Sequence, residues 1–283
     1  LRAMLSPGDE VVVPEPSFVS YCPGVIFAGG TPVPIVTGAE NNFMLTPETL
    51  KAAITPKTKA LIMPYPNNPT GGIIDRESLQ KLRDVIIEND LVVISDEIYS
   101  ELTYSPEGHV SIASLPRMRE RTIYLNGFSK AFAMTGWRIG YVCAPVPLME
   151  NMLKIHQYAI MCASVQAQVA AEEALKRGRE DNYADIVTMR ESYNRRRRLM
   201  LDSFHKMGLD CFEPLGAFYV FPSIAKTGLT SEVFCERLLR EKEVACVPGT
   251  AFGACGEGFI RCCYATALDK LTIALDRIDD FLQ

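Results

Sequence analysis

The sequence predicts an α/β fold: a mostly parallel sheet with helices on both faces, followed by a smaller C-terminal α/β unit. Over the first half, short apolar runs bounded by Pro, Gly and Asn alternate with segments of helical period, as in a parallel sheet covered on both sides. After Pro145 the texture changes to long helical stretches and then to shorter strands. Polar residues also gather just after three successive strand segments, where open α/β sheets bind ligands.

Candidate strands are Glu10–Val13, Pro32–Val36, Ala60–Met63, Val92–Ser95, Thr122–Leu125 and Gly140–Ala144. Ahead of them, Leu1–Leu5 reads as the last turns of a helix ended by Ser6-Pro7-Gly8, as though the chain begins within a longer protein. Thr46 caps a helix with Pro47 at its first position. Asp75 caps another, in which Leu79, Leu82, Val85 and Ile86 share one face. The interval from Leu125 to Gly140 is too short for a helical crossover with its loops, so the sixth strand is expected to run antiparallel. Pro147–Arg177 and Tyr183–Lys206 read as long helices. Strands Ala217–Phe221, Val244–Val247 and Phe259–Tyr264 follow, then a closing helix to Leu282. The boundary falls near Gly178–Asn182, giving a large domain over 1–178 and a small one over 179–283.

At 48% hydrophobic and 22% charged residues, the 283-residue chain can bury a sizeable core. Its net charge of −5 disfavours nucleic acid and anionic membrane surfaces as partners. Nine cysteines without a CxxC pair, and only three histidines, argue for reduced cytoplasmic thiols over a disulfide framework or a metal site. No apolar run approaches the length of a bilayer crossing. Arg195–Arg198, a charge run in a helix of an acidic protein, reads as a solvated face or a set of ion-pair partners.

The chemistry concentrates at three strand ends. Tyr65-Pro66-Asn67-Asn68-Pro69-Thr70-Gly71 follows the third strand, Asp96-Glu97-Ile98-Tyr99 the fourth, and Ser129-Lys130 the fifth, with Arg138 eight residues further on. Each is ordinary alone: Asn-Pro-Thr-Gly makes a turn anywhere, and an Asp after a strand often caps a helix. Their order and spacing are not ordinary. With Gly216-Ala217-Phe218-Tyr219, Cys246-Val247-Pro248-Gly249 and Arg261 before Tyr264-Ala265, they resemble the class I and II aminotransferases among the fold-type I pyridoxal-phosphate enzymes, over essentially the whole chain. Lys154-Ile155-His156-Gln157-Tyr158 and Cys162-Ala163-Ser164 look most like the aromatic and N-acetyl-diaminopimelate branch.

The resemblance implies a role for each residue. Lys130 matches the lysine that holds pyridoxal phosphate as a Schiff base, its amine kept neutral with help from Arg138. Asp96 matches the carboxylate that keeps the pyridine nitrogen protonated. Asn68 and Tyr99 match donors to the ring hydroxyl, Ser129 and Arg138 phosphate ligands, and Phe18 the aromatic stacked on the ring. Arg261 matches the arginine that clamps the substrate α-carboxylate, with Asn68 beside it. The implied activity moves an amino group from an L-amino acid, aromatic or acyl-diaminopimelate-like, to a 2-oxo acid such as 2-oxoglutarate. The implied assembly is a cytoplasmic homodimer with shared active sites. The resemblance also places a glycine-rich phosphate turn and a seventh strand upstream of Leu1. Two other readings share these residues: a cystathionine-type β-lyase, and the effector domain of a pyridoxal-phosphate-dependent transcription regulator. Between Lys154 and Lys176 there is no Lys or Arg, where the dicarboxylate-specific branch carries a partner-subunit arginine, which argues against strict aspartate specificity.

Overall fold

The six candidate strands of the first half pair into one sheet in the computed structural model, which describes residues 1–283. They are β1 (Glu10–Glu15), β2 (Thr31–Val36), β3 (Thr58–Met63), β4 (Val92–Asp96), β5 (Thr122–Gly127) and β6 (Gly140–Cys143). Their order is β2-β1-β3-β4-β5-β6. The first five pair in parallel, while β6 runs antiparallel to β5, as the short connection requires. All four residues of β6 are exposed at that edge.

Alternation along β3 shows why both faces are covered. Leu61 and Met63 join Leu79, Leu82, Val85 and Ile86 of α3 (Arg76–Glu88) in one core. Ala60 and Ile62 point the other way, into a second core with Val25 of α1 (Tyr21–Phe27), against which Leu148 and Met152 of α4 (Val146–Ala159) pack. Each fully buried Leu or Ile contributes roughly 1.5–3 kcal/mol, so these two cores hold the sheet rim in place. The anticipated caps are present. Thr46 accepts from the Thr49 N–H at the start of α2 (Pro47–Ala53), and Asp75 accepts from the Ser78 N–H at 2.9 Å.

The structure departs from expectation in several places. Pro147–Arg177 is not one helix: α4 stops at Ala159 and α5 (Val165–Glu180) starts afresh. Met161, at φ 63°, takes a left-handed conformation that no helix interior tolerates. Leu1–Leu5 forms a turn closed by the Leu5 N–H on the Leu1 carbonyl, not helical turns. Two helices were not anticipated, the short α1 and α7 (Ser231–Lys242); α6 (Ala184–Lys206) and α8 (Leu268–Leu282) lie where they were expected.

The later strands β7 (Tyr219–Val220), β8 (Val247–Pro248) and β9 (Ile260–Cys263) are shorter than the periodicity suggests. They form an antiparallel sheet ordered β7-β9-β8. Phe204 of α6, Phe234 and Leu238 of α7, and Leu271, Leu275 and Ile278 of α8 pack over it. One residue of the arginine run ties this unit to the large sheet. Arg197 is buried; it donates to Glu213 at 2.8 Å and to the Pro214 carbonyl at 3.1 Å, and its guanidinium lies over Tyr104. The adjoining Leu215 and Gly216 N–H groups donate to the Gly71 carbonyl. Gly71 has φ 72°, and a Cβ there would lie 2.3 Å from Pro214 Cβ, so only glycine permits the approach.

Candidate active site

Parallel pairing puts the C-terminal ends of β1, β3, β4 and β5 on one rim, and β9 of the small sheet faces them. A cavity of about 500 Å³ lies between, lined by Phe18, Asn68, Asp96, Tyr99, Ser129, Lys130, Arg138 and Arg261. Every residue nominated from the sequence reaches this one space.

Asp96 is the last residue of β4, and its carboxylate is fixed at both oxygens. Oδ1 accepts from the Ile98 N–H at 3.2 Å, and Oδ2 accepts from the Tyr21 hydroxyl at 2.9 Å. Burial pushes its carboxyl above the usual range, while the Tyr21 hydroxyl and then the Ile98 N–H pull the other way. Its neighbour Glu97 points away from the cavity and accepts from Ser95, Ser111 and His109.

Lys130 follows β5. Its Nζ sits 5.6 Å from the Tyr99 ring centroid and 5.4 Å from that of Phe218. Its ammonium is held below the ordinary lysine value, first by burial and then by Arg138 and Arg261, against an opposing contribution from Cys263. Desolvation is therefore the leading cause, with Arg138 secondary. Arg138 is exposed, at φ 50° in the left-handed region, and its Nη1 donates to the Thr135 carbonyl at 3.0 Å. A non-glycine residue there carries backbone strain of order 1–3 kcal/mol, typical of positions fixed for a ligand.

Arg261 reaches across from β9. Its guanidinium packs against the rings of Tyr219 and Phe252, 4.5 and 4.8 Å from their centroids, and Nη1 donates to Asn68 Oδ1 at 2.9 Å. Its Nε is buried with no acceptor. None of the chain's ion pairs involves Lys130, Arg138 or Arg261. Three cations without carboxylate partners around one cavity suit a doubly anionic group and a carboxylate.

These residues fit pyridoxal phosphate. Asp96 would hold the pyridine nitrogen, and Lys130 the aldehyde carbon. Ser129 and Arg138 would hold the phosphate, and the partly exposed Phe18 ring would cover one face. Buried Asn68 keeps its amide N–H₂ for the ring hydroxyl, while its oxygen serves Arg261. Tyr99 bonds the Tyr219 hydroxyl at 3.1 Å and stands beside the same place.

Three contributors were not singled out from the sequence: Tyr21, Tyr219 and Phe252. Tyr219 ends the Gly-Ala-Phe-Tyr string, and Tyr21 lies one helical turn after Phe18; those positions were the available signal. Phe252 had none. It ends a short 3-10 helix, Gly249–Phe252, and its carbonyl accepts from the Ser17 N–H at 3.0 Å.

Comparison with known proteins agrees with this geometry. The family described as aminotransferase class I and II matches residues 1–278. An aspartate aminotransferase of Pyrococcus abyssi is 49% identical over 283 residues, covering 100% of this chain and 72% of the relative. An aromatic-amino-acid aminotransferase of Thermococcus litoralis is 45% identical with the same coverage. The crystal structure of an aromatic aminotransferase from Pyrococcus horikoshii matches with a TM-score of 0.96 at 48% identity, over 99% of this chain and 74% of that one. The chain thus belongs to the class I and II aminotransferases, fold-type I enzymes that use pyridoxal phosphate to move amino groups between amino acids and 2-oxo acids.

Proposed function

We propose that the residues lining this cavity divide the work of amino transfer as follows. Pyridoxal phosphate, when bound, supplies a carbonyl that takes up the amino group and a ring that withdraws electron density from the substrate Cα. Lys130 anchors it and, once its amine is freed, carries a proton between the substrate Cα and the cofactor C4′. Asp96, steadied by Tyr21, keeps a proton on the pyridine nitrogen. Asn68 and Tyr99 orient the ring hydroxyl, Phe18 excludes water from one face, and Ser129 and Arg138 hold the phosphate. Arg261 fixes the α-carboxylate through Nε and a terminal nitrogen, with Asn68 aligning its fork. The convergence of these nine residues on one cavity carries the reading.

We assign the side-chain preference to aromatic or acyl-diaminopimelate-type donors. The support is the absence of any Lys or Arg between Lys154 and Lys176, which leaves this stretch no cation for a second carboxylate. We further propose two domains, 1–178 and 179–283, and a cytoplasmic homodimer. No helix is long and apolar enough to cross a membrane. The amino transfer of the matched relatives favours transamination over β-lyase or regulatory readings.

Borohydride reduction of the holoenzyme followed by peptide mapping should label Lys130 alone. A label on another lysine refutes the assignment. Lys130→Ala should lose at least about 10²–10⁴-fold in turnover, the span of general acid–base catalysis. A donor panel against 2-oxoglutarate should rank tyrosine, phenylalanine or N-acetyl-diaminopimelate above aspartate.

A further inference from the structure

Behind the strand that carries Arg261, two thiols face each other. Cys246 immediately precedes β8 and Cys262 lies on β9, with their Sγ atoms 3.4 Å apart. The register Val247↔Arg261, continued by one step, sets Cys246 opposite Cys262. The Gly249 N–H donates to the Phe259 carbonyl at 2.9 Å, which fixes the phase of the ladder. Counting back by alternate pairs, Cys246 and Cys262 fall at a non-hydrogen-bonded position, where facing Cα atoms come within about 4.5 Å. That spacing lies inside the range a disulfide spans, about 4.4–6.8 Å. The two differ in access: Cys246 is partly exposed, while Cys262 is 6% exposed.

We propose that Cys246 and Cys262 form a peroxide-sensitive thiol pair that closes reversibly into a disulfide between β8 and β9. The accessible Cys246 reacts first. Its sulfur attacks one peroxide oxygen, the O–O bond breaks, and water leaves, giving a sulfenic acid. The Cys262 sulfur then attacks the Cys246 sulfur. The S–S bond forms, the S–O bond breaks, and the hydroxyl departs with the Cys262 proton as a second water. Two thiols are thus oxidised and one peroxide is reduced to two waters. The neighbouring Cys246 thiol, and then burial, hold the Cys262 thiol well above its ordinary pKa, so it stays protonated and inert until Cys246 is activated.

The bond would tie the two ends of the segment from Cys246 to Cys262. That segment carries Phe252, packed on the Arg261 guanidinium, and Arg261 itself. Oxidation therefore stiffens the strap beneath the carboxylate clamp without touching the groups that hold the cofactor.

The test treats holoenzyme with equimolar hydrogen peroxide, alkylates the remaining thiols, and maps peptides without reduction. The expected result is an intact mass lower by about 2 Da before alkylation, and a Cys246–Cys262 linked peptide after it. The thermal midpoint should rise by roughly 5–10 °C and fall back on treatment with dithiothreitol. Cys246→Ser, at the more accessible position, should show neither change, and Cys262→Ala should behave alike. Recovery of Cys246 and Cys262 both alkylated, under conditions that oxidise the exposed Cys143, Cys162 and Cys263, overturns the proposal. So does an unchanged thermal midpoint when the link has formed.

Discussion

At the scale of single residues, the site is governed by what each charge has lost on burial and what replaces it. Asp96 is pushed toward the neutral form by burial and back toward the anion by Tyr21, so its charge depends on its neighbours. Asp96→Asn should still bind pyridoxal phosphate but lose on the order of 10²–10³-fold in kcat, the size of one preorganised electrostatic contact. Wild-type-like kcat in that variant would refute the role. Arg261→Lys keeps the charge but not the fork, so kcat/KM should drop about 10- to 100-fold for every amino acid. If one donor alone suffered, Arg261 would be reading the side chain instead. Lys130 carries a pH signature. Its folded-state ammonium loses its proton below the ordinary 10.5, so between that lowered pKa and 10.5 the unfolded chain binds more protons and stability rises with pH. Reductive tagging of apoenzyme with a small aldehyde should therefore favour Lys130 over exposed lysines at pH 7. The nominated residues were legible because each follows a strand end or sits in a distinctive string. Tyr21, Tyr219 and Phe252 act through partners distant in sequence, so local pattern marks at most the positions of the two tyrosines and not the contacts they make.

At the scale of elements, legibility followed the strength of local signals. Thr46 and Asp75 announced their helices through caps, and the apolar runs of β1, β3 and β4 stood out because these strands are largely buried. The α4–α5 break was invisible: Ile160-Met161-Cys162 contains no Gly or Pro, and only tertiary placement puts Met161 in the left-handed region. Helix α7 could have been found from Thr230, whose side chain accepts from the Val233 N–H, and from buried Phe234 and Leu238 one turn apart. Arg197 meets the ion-pair half of the expectation for its run, through Glu213, but from a buried position. Three of its run's members are at least partly exposed, yet Arg197 is the strut between α6 and the Pro214–Gly216 crossing. Arg197→Ala should cost about 1–3 kcal/mol by stranding the buried Pro214 carbonyl, read as a lower thermal midpoint. Because that crossing bonds Gly71 beside Asn68, KM for the amino donor should rise as well. A variant with unchanged midpoint and KM would show that the strut is dispensable.

At the scale of the whole molecule, apolar surface remains where no part of this chain covers it. Tyr158 is 94% exposed, Met161 81% and Phe27 75%, with Leu153 and Ile160 also open on and beside α4. Patches of this kind mark interfaces. The homodimer proposed here should sediment as a single species of twice the chain mass at micromolar concentration. Tyr158→Glu together with Met161→Glu should release monomers while leaving far-ultraviolet circular dichroism unchanged. A monomer in the parent protein would refute the assembly.

Arg261 also bears on which molecules the enzyme refuses. Two aromatic rings pack against its guanidinium, and its Nε already lies out of water with nothing to accept from it. The dehydration of this Nε–H is thus met by folding, before any ligand arrives. An incoming amino acid bears only the cost of drying its own carboxylate and completes a bond the protein could not make alone. An amine with the same side chain but no carboxylate offers no such completion and leaves a buried N–H unmatched. Pockets that merely miss a methylene discriminate by about 10- to 200-fold, whereas those left with an unpaired buried polar group reach 10⁴–10⁵. Rejection of amines is in this way written into the folded state of the free enzyme.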